Sequence, residues 1–357
     1  MTVSNAKTRP SSPERLAWTQ SRRPTINDIA RLAEVSKKTV SRVINDSPFV
    51  KPDTRLKISR IIDELGYEPD PQARGLAFRR SFLVGFIYDN PNPQYVVNAQ
   101  QGLLDGLKGT GFELVVRPCV RAQPNFISEM RAFVERQKLS GVVLFPPVSE
   151  DERLIDLLRD LVCPYVRVAA VALDSPGAMV VTHDGEGAAQ AARYIAGLGH
   201  RRIGHICGPA SFRSSSVRRQ GFADGLAECG ISLDPAYIKE GGYTYESGLA
   251  QAEAMLALEP RPTAIFTGND EMALGVYQAA REAGLKVPRD LSVVGYDDST
   301  IAARVWPPLT TVRLPIRDMG LYAANLLLRQ EGVAAPATAQ RVTPTLIIRG
   351  SAAPVSG

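Results

Sequence analysis

TINDIARLAEVSKKTVSRVIND, residues 25–46, holds two short apolar stripes separated by a break. Ile26, Ile29, Ala30 and Ala33 recur at i, i+3, i+4 and i+7, the spacing of one buried face of an α-helix, and Thr25 stands where a hydroxyl can cap the first turn. Beyond the break, Ser36 caps a second helix in which Val40, Val43 and Ile44 face inward and Val35 staples against Val40. Its outer face is Lys37, Lys38, Ser41 and Arg42. A third helix is expected from Pro52 to Leu65: proline is tolerated in a first turn, Ile58, Ile61, Ile62 and Leu65 form the buried stripe, and Gly66 ends it. Three short helices that leave one polar, basic face make a helix-turn-helix domain.

Charge agrees with that reading. Residues 1–80 hold 16 Lys+Arg against 9 Asp+Glu, whereas the rest of the chain holds 26 against 28, within a formal net charge of +5. A small basic segment joined to a near-neutral body suits phosphate binding, because released counterions supply much of the affinity for nucleic acid. Charge alone would equally fit a solubilising tail, and the helical pattern decides between the two.

The motif V-S-x-x-T-V-S-R-V-I-N within residues 35–45, followed by TRLKISRIIDELGYEPDPQARGLA over residues 54–77, resembles the DNA-binding half of the lactose-repressor (LacI) family. The resemblance implies a cytoplasmic, nucleoid-associated transcription regulator, and it assigns roles by position. Lys37 and Lys38 would choose bases in the major groove, where cationic donors suit the guanine O6 and N7 acceptors. Thr25, Thr39, Ser41, Arg42 and Asn45 would bond phosphates or base edges and fix register. Residues 70–80 resemble the family's hinge helix, with Ala73 and Leu76 on its apolar edge; Leu76 matches the residue that wedges into the minor groove and kinks a palindromic operator. One departure is Glu34, at a turn position where the family often has glycine. If that backbone is left-handed, the side chain costs about 1 kcal/mol.

From Ser81 the pattern changes to alternating strands and helices. Strands are expected at Leu83 to Tyr88, Phe112 to Val116, Gly141 to Phe145, Tyr165 to Val168, Ile203 to Cys207, Ala264 to Thr267 and Leu291 to Tyr296, with a last one at Arg341 to Arg349. Helical stretches between them argue for doubly wound parallel sheets covered on both faces, which bind ligands at the carboxyl ends of their strands. The family resemblance is looser here. It implies an α/β, periplasmic-binding-protein-like body of two lobes joined by crossing strands.

Several motifs sit at those strand ends. Asn92, Pro93 and Tyr95 form an N-P-x-aromatic turn, Arg218 opens R-x-x-G-F, Asn269 and Asp270 begin a helix, and Gly295 to Asp298 close a strand. The family places its effector among such residues. Arg218, Asn269, Asp297 and Asp174 can hold vicinal hydroxyls by charge-assisted hydrogen bonds, while Tyr95 or Tyr243 offers a face to a sugar ring. For Asn269 and Asp270 a helix-capping role is an equal alternative. After T-T-V-R, sugar-binding members commonly carry glutamine; Leu314 stands here, which implies a less polar or differently shaped ligand.

The expected division is an N-terminal extension over 1–23, a helix-turn-helix domain over 24–69, the hinge over 70–80, an effector-binding and dimerisation domain over 81–350 and a tail over 351–357. Its lobes would take 81–180 with 314–340, and 181–313 with 341–350. The apolar runs are strand-sized, too short for a membrane span, and no apolar signal core precedes Trp18. Both points weigh against an exported sugar-transport protein. Cys119, Cys163, Cys207 and Cys229 are widely spaced, with no C-x-x-C pair and no nearby histidine cluster, so neither a metal site nor a disulfide framework is expected. Three histidines form no recognisable triad and no phosphate loop is present, so neither catalysis nor a cofactor is expected. Without a leucine heptad tail after Leu328, a homodimer is expected. Repression and co-repression remain open at this level.

Overall fold

The computed structural model describes residues 24–44, 49–67, 81–333 and 342–355, and the chain divides into two compact units, Met1–Ser81 and Phe82–Gly357. Asn45, Ala73 and Leu76 lie outside the described residues.

The first unit is three helices, α1 (Ile26–Ala33), α2 (Lys37–Ile44) and α3 (Pro52–Leu65). Asp28 closes the start of α1: its carboxylate accepts from the Thr25 amide at 3.0 Å and from the Thr25 hydroxyl at 2.7 Å. The Ser36 hydroxyl accepts from the Thr39 amide at 3.2 Å and so opens α2. Ile29, Ala30, Ala33, Val40, Val43 and Ile58 form the core. The stripe expected on α3 is only partly realised, since Ile58 is buried while Ile61, Ile62 and Leu65 are half-buried. A unit this small has too little mass to surround a 14-residue helix. Gly66 ends α3 in the left-handed conformation at φ 56°.

Glu34 is left-handed too, at φ 58° and ψ 41°, where it ends α1 and lets the Val35 amide reach the Ala30 carbonyl at 2.9 Å. The αL geometry is demanded by this tight turn, and glycine would adopt it without the Cβ penalty.

The second unit holds two sheets. In the first, β1 (Leu83–Tyr88), β2 (Glu113–Pro118), β3 (Gly141–Leu144), β4 (Tyr165–Ala169) and β5 (Met179–Val181) run parallel in the order β2-β1-β3-β4-β5. Three helices follow its strands: α4 (Pro93–Leu107), α5 (Phe126–Gln137) and α6 (Glu152–Asp160). The second sheet contains β6 (Ile203–Cys207), β7 (Ile238–Glu240), β8 (Ala264–Thr267), β9 (Ser292–Asp297), β10 (Thr310–Arg313) and β11 (Thr345–Ile347), ordered β11-β10-β9-β8-β6-β7. Its helices are α7 (Asp184–Gly197), α8 (Arg213–Ala227), α9 (Tyr245–Leu256) and α10 (Asp270–Glu282). Helix α11 (Ile316–Gln330) leaves β10 of the second sheet and packs on α4 and on β3, β4 and β5 of the first.

The strands expected from the sequence appear with small shifts at their ends, and the differences have local causes. β5 and β7 are only three residues long, too short to show a period. β10 reads TTVR, a polar run whose threonines are buried by their neighbours. The last strand covers Thr345–Ile347 rather than the longer stretch expected, and it runs antiparallel to β10, an exception to the parallel pattern. A Cβ on Gly221 would collide with the backbone of Gly185, so glycine here lets α8 approach α7. That contact seats Arg218, one turn earlier on α8, against the first residue of α7.

Glu34→Gly should raise the urea midpoint of the first unit by the equivalent of about 1 kcal/mol, because it removes left-handed strain. The exposed Glu34–Lys57 pair at 3.9 Å that it deletes is worth little. A lower midpoint would show that the turn needs the glutamate side chain.

Candidate functional site

Two surfaces carry the chemistry, one in each unit. On α2 the side chains of Lys37, Lys38 and Arg42 are exposed, while Thr39 and Ser41 are half-buried along the same helix. Thr39 and Ser36 share a hydrogen bond at 3.0 Å, and the Thr25 hydroxyl is already given to Asp28, so these hydroxyls are held in place by their own helix starts. A helix N-terminus flanked by two lysines attracts phosphate oxygens and presents donors to base edges.

In the second unit a cleft of about 430 Å³, open to solvent, is lined by Asn90, Asn92, Tyr95, Pro146, Ala170, Thr182, Asp184, Phe212, Ser214, Arg218, Tyr243, Asn269, Asp297 and Leu314. Apart from Arg218, which reaches in from the second turn of α8, these residues follow the carboxyl ends of strands, and both sheets contribute. The sequence folds this way because each parallel strand must turn at its carboxyl end into a covering helix, and the helix starts converge there.

Arg218 is the centre of the cleft. Its Nε and Nη2 donate to Asp184 Oδ1 at 2.8 and 2.7 Å, and Nη1 donates to the Gly268 carbonyl at 2.6 Å. The guanidinium lies 3.8 Å from the centroid of the Tyr296 ring, whose hydroxyl donates to the Asp184 carbonyl at 3.0 Å. Burial works against this charge, but Asp184, then Tyr243, Tyr296 and Asp297, outweigh it and hold the group above the ordinary arginine value. Asp297 Oδ1 stands 3.8 Å from Nη1, too far for a hydrogen bond, and has no other partner among the described residues. Burial pushes the Asp297 carboxyl well above the usual carboxylate range; Arg218 pulls it down, while Asp270 and Asp184 push it further up.

Backbone strain concentrates around the same cleft. His183, Tyr243, Asp297 and Asp298 all have positive φ, at 49°, 61°, 110° and 55°. Such residues persist only where neighbours over-determine them. Asp298 is fixed by Arg313 Nε at 2.7 Å and by Arg349, and the Tyr243 carbonyl accepts from Asn269 Nδ2 at 3.0 Å. Asn269 also caps α10, accepting from the Met272 amide at 3.0 Å, so the capping and cleft-lining alternatives are both realised.

Residues 25–70 match the model of the bacterial regulatory proteins of the lacI family, and residues 192–352 match a periplasmic binding protein-like domain. The chain is 34% identical over 308 residues to Catabolite control protein A of Priestia megaterium, covering 85% of this chain and 92% of that protein. It is 31% identical over 306 residues to the ribose operon repressor of Haemophilus influenzae, covering 86% and 91%. The chain belongs to the LacI family. Among solved structures, the lac repressor dimer bound to operator and an anti-inducer superposes with a TM-score of 0.75 at 29% identity, over 93% of this chain and 100% of that one. The complex of the regulator CelR with cellobiose superposes with a TM-score of 0.68 at 31% identity, over 92% and 100%.

Within this LacI-family fold, Tyr95, Arg218, Tyr243, Asn269 and Asp297 come together as the sequence suggested, with Leu314 beside them. Asp174 does not join them. It accepts from the Tyr165 hydroxyl at 2.8 Å and pairs with Arg159 at 3.5 Å and with the fully buried Arg167 at 3.7 Å, an anchor for the end of β4 away from the cleft lining. The acid that meets Arg218 is Asp184, which sequence reasoning missed. Its signal was positional, a carboxylate directly after a short strand and at the first turn of a helix. Asn90, Thr182, Phe212 and Ser214 were missed for the same reason.

Asp270, beneath the cleft, accepts from the Ser299 amide at 2.6 Å and the Thr311 hydroxyl at 2.5 Å, and burial raises its carboxyl to about 7. A folded-state value above the unfolded one, about 3.9, contributes stability that is present below that value and is lost as pH rises through about 7. Asp270→Asn should therefore flatten the fall in stability of the second unit between pH 5 and 8, by about 2.7 kcal/mol at most. Urea midpoints of both proteins across that range are the measurement; parallel slopes would show that Asp270 does not titrate there.

Proposed function

We propose that this chain is a homodimeric transcriptional repressor that reads a palindromic operator through α2 and releases it when a sugar occupies the cleft around Arg218. The observation that carries the reading is the pairing of an exposed cationic recognition helix with a cleft whose buried guanidinium and carboxylate present a donor and a free acceptor side by side. Lys37 and Lys38 choose bases; Thr25, Thr39, Ser41, Arg42 and Asn45 fix register on the backbone; Ala73 and Leu76 belong to the hinge that wedges the minor groove.

In the cleft, Arg218, Asp297 and Asn269 hold hydroxyls, Tyr95 and Tyr243 offer ring faces, and Asp184 keeps the guanidinium charged and aimed. Leu314 supplies an apolar wall. Relatives support the sugar class: one solved relative carries cellobiose, and another relative is named a ribose operon repressor. A ligand moves the balance between operator-binding and non-binding dimers only by its difference in affinity for the two states.

The two activities should separate by mutation. Fluorescence anisotropy of a selected operator is titrated with wild type, Lys38→Ala, Arg218→Ala and Asp297→Ala, with and without an effector found by thermal-shift screening of sugars, once circular dichroism shows each variant folded. Lys38→Ala should lose roughly 1–3 kcal/mol of operator affinity and relax base preference while still binding effector. Arg218→Ala and Asp297→Ala should bind operator normally and ignore effector. Effector that tightens operator binding in wild type would make the protein co-repressed. Folded cleft variants that respond at wild-type concentrations would place the ligand elsewhere.

A further inference from the structure

The acceptor at the start of α8 does not belong to α8. Its N-cap residue is Phe212, which has no capping oxygen, whereas α4 and α10 are capped by their own Asn92 and Asn269. The first amide of α8, that of Arg213, donates instead to Glu150 Oε2 at 3.0 Å. Glu150 stands in the short turn Val148–Glu150 after β3, so this hydrogen bond joins the first sheet to the second beside the cleft. A second, longer contact crosses next to it: Arg121, after β2, donates from Nη2 to the Ser211 carbonyl at 3.4 Å.

Both residues are held from behind. Arg167, fully buried in β4, donates from Nε to the Ser149 carbonyl at 2.7 Å, and Ser149 Oγ donates to the Val168 carbonyl at 2.6 Å, which fixes the turn that carries Glu150. The Arg121 amide donates to Asp89 Oδ2 at 3.0 Å, its carbonyl accepts from Arg153 Nη2 at 3.3 Å, and Arg153 pairs with Asp151 at 2.7 Å. The loops after β1, β2 and β3 are thereby tied into one edge that meets α8. Phe212 and Ser214, on either side of Arg213, line the cleft, so this meeting sets where the α8 wall stands.

The chain passes between the sheets at β5–α7 and β10–α11, and two walls joined by such crossings can pivot about them unless other contacts hold them. The contact at Glu150 is finely balanced. Its second oxygen, Oε1, is buried with no hydrogen-bond partner among the described residues, and burial raises the carboxyl above the ordinary glutamate value while the Arg213 amide and then the Arg213 and Arg121 charges pull it back. Separation of the walls would hydrate Oε1 but strip α8 of its acceptor, two opposed effects each of about one hydrogen bond. We propose that Glu150 and Arg121 form a latch that holds the walls of the cleft together and positions the start of α8. The latch does not depend on what the cleft binds, so it can fail while the reading of the cleft as an effector site stands.

The test is double electron–electron resonance on the full chain, with spin labels at Ser128→Cys on α5 and Glu246→Cys on α9, exposed positions near the starts of helices that follow strands of opposite sheets. The background carries Cys119→Ser and Cys229→Ser, and labelled chains are diluted in excess unlabelled protein so that distances within one chain are read. The expected result is one dominant distance with the latch intact and, in Glu150→Ala, a longer-distance population with the open-to-closed ratio raised about tenfold, the size that loss of one such hydrogen bond gives. Arg121→Ala should raise the ratio less, because its contact is longer. Glu150→Gln, which keeps an acceptor oxygen, should stay close to the unmutated distance. Hydrogen exchange over residues 211–217 is followed in the same variants. Faster exchange there with unchanged distances would make Glu150 an ordinary helix cap and overturn the latch, and unchanged exchange with unchanged distances would overturn it as well. If Glu150→Ala does not fold, Arg121→Ala decides: a longer-distance population supports the latch, and its absence overturns it.

Discussion

The buried guanidinium of Arg218 is the constraint around which the larger unit is arranged. A charge removed from water costs several kcal/mol unless it is paired and fully hydrogen-bonded. The fold meets that demand from several elements at once: Asp184 from the first turn of α7, the Gly268 carbonyl at the end of β8, and the face of Tyr296 in β9. Each partner needs its own element in register. The Gly185–Gly221 contact brings α7 and α8 close enough, and the Tyr296 hydroxyl ties β9 back to Asp184. Truncating Arg218 therefore removes a ligand contact and also leaves a buried carboxylate without its counter-charge.

The same cluster explains why strain gathers there. Asp297 and Asp298 are consecutive positive-φ residues at the end of β9, and the second is clamped by two arginines on β10 and near β11. The clamp fixes the backbone beside Asp297, which lines the cleft and whose Oδ1 is buried without a hydrogen-bond partner among the described residues. A buried polar oxygen left unpaired favours a ligand group that completes its hydrogen bond, because closing that bond recovers a desolvation cost already present.

Much of this was legible in the sequence, and the reasons are physical. The helix-turn-helix could be read because its helices are short, amphipathic and capped by residues with one local meaning each, down to Glu34 in a left-handed turn. The longer strands were visible because both faces are covered, which makes them continuous apolar runs. β5, β7 and β10 were not, being too short or too polar to show a period. Arg218 and Asp297 could be nominated as charged residues in motifs at strand ends. The partner of Arg218 could not, since Asp174 and Asp184 both follow first-sheet strands and only three-dimensional placement shows that one anchors Arg167 while the other meets Arg218.

A crystal structure of the full chain soaked with a neutral sugar that stabilises it would test the central claim most directly. The account predicts density for a ring in the cleft beside Leu314, with one hydroxyl within hydrogen-bond distance of Asp297 Oδ1 and another on an Arg218 N–H, while the Arg218–Asp184 pair stays intact. Density for the sugar away from this cleft, or bound in it with Asp297 Oδ1 still unpartnered, would contradict it.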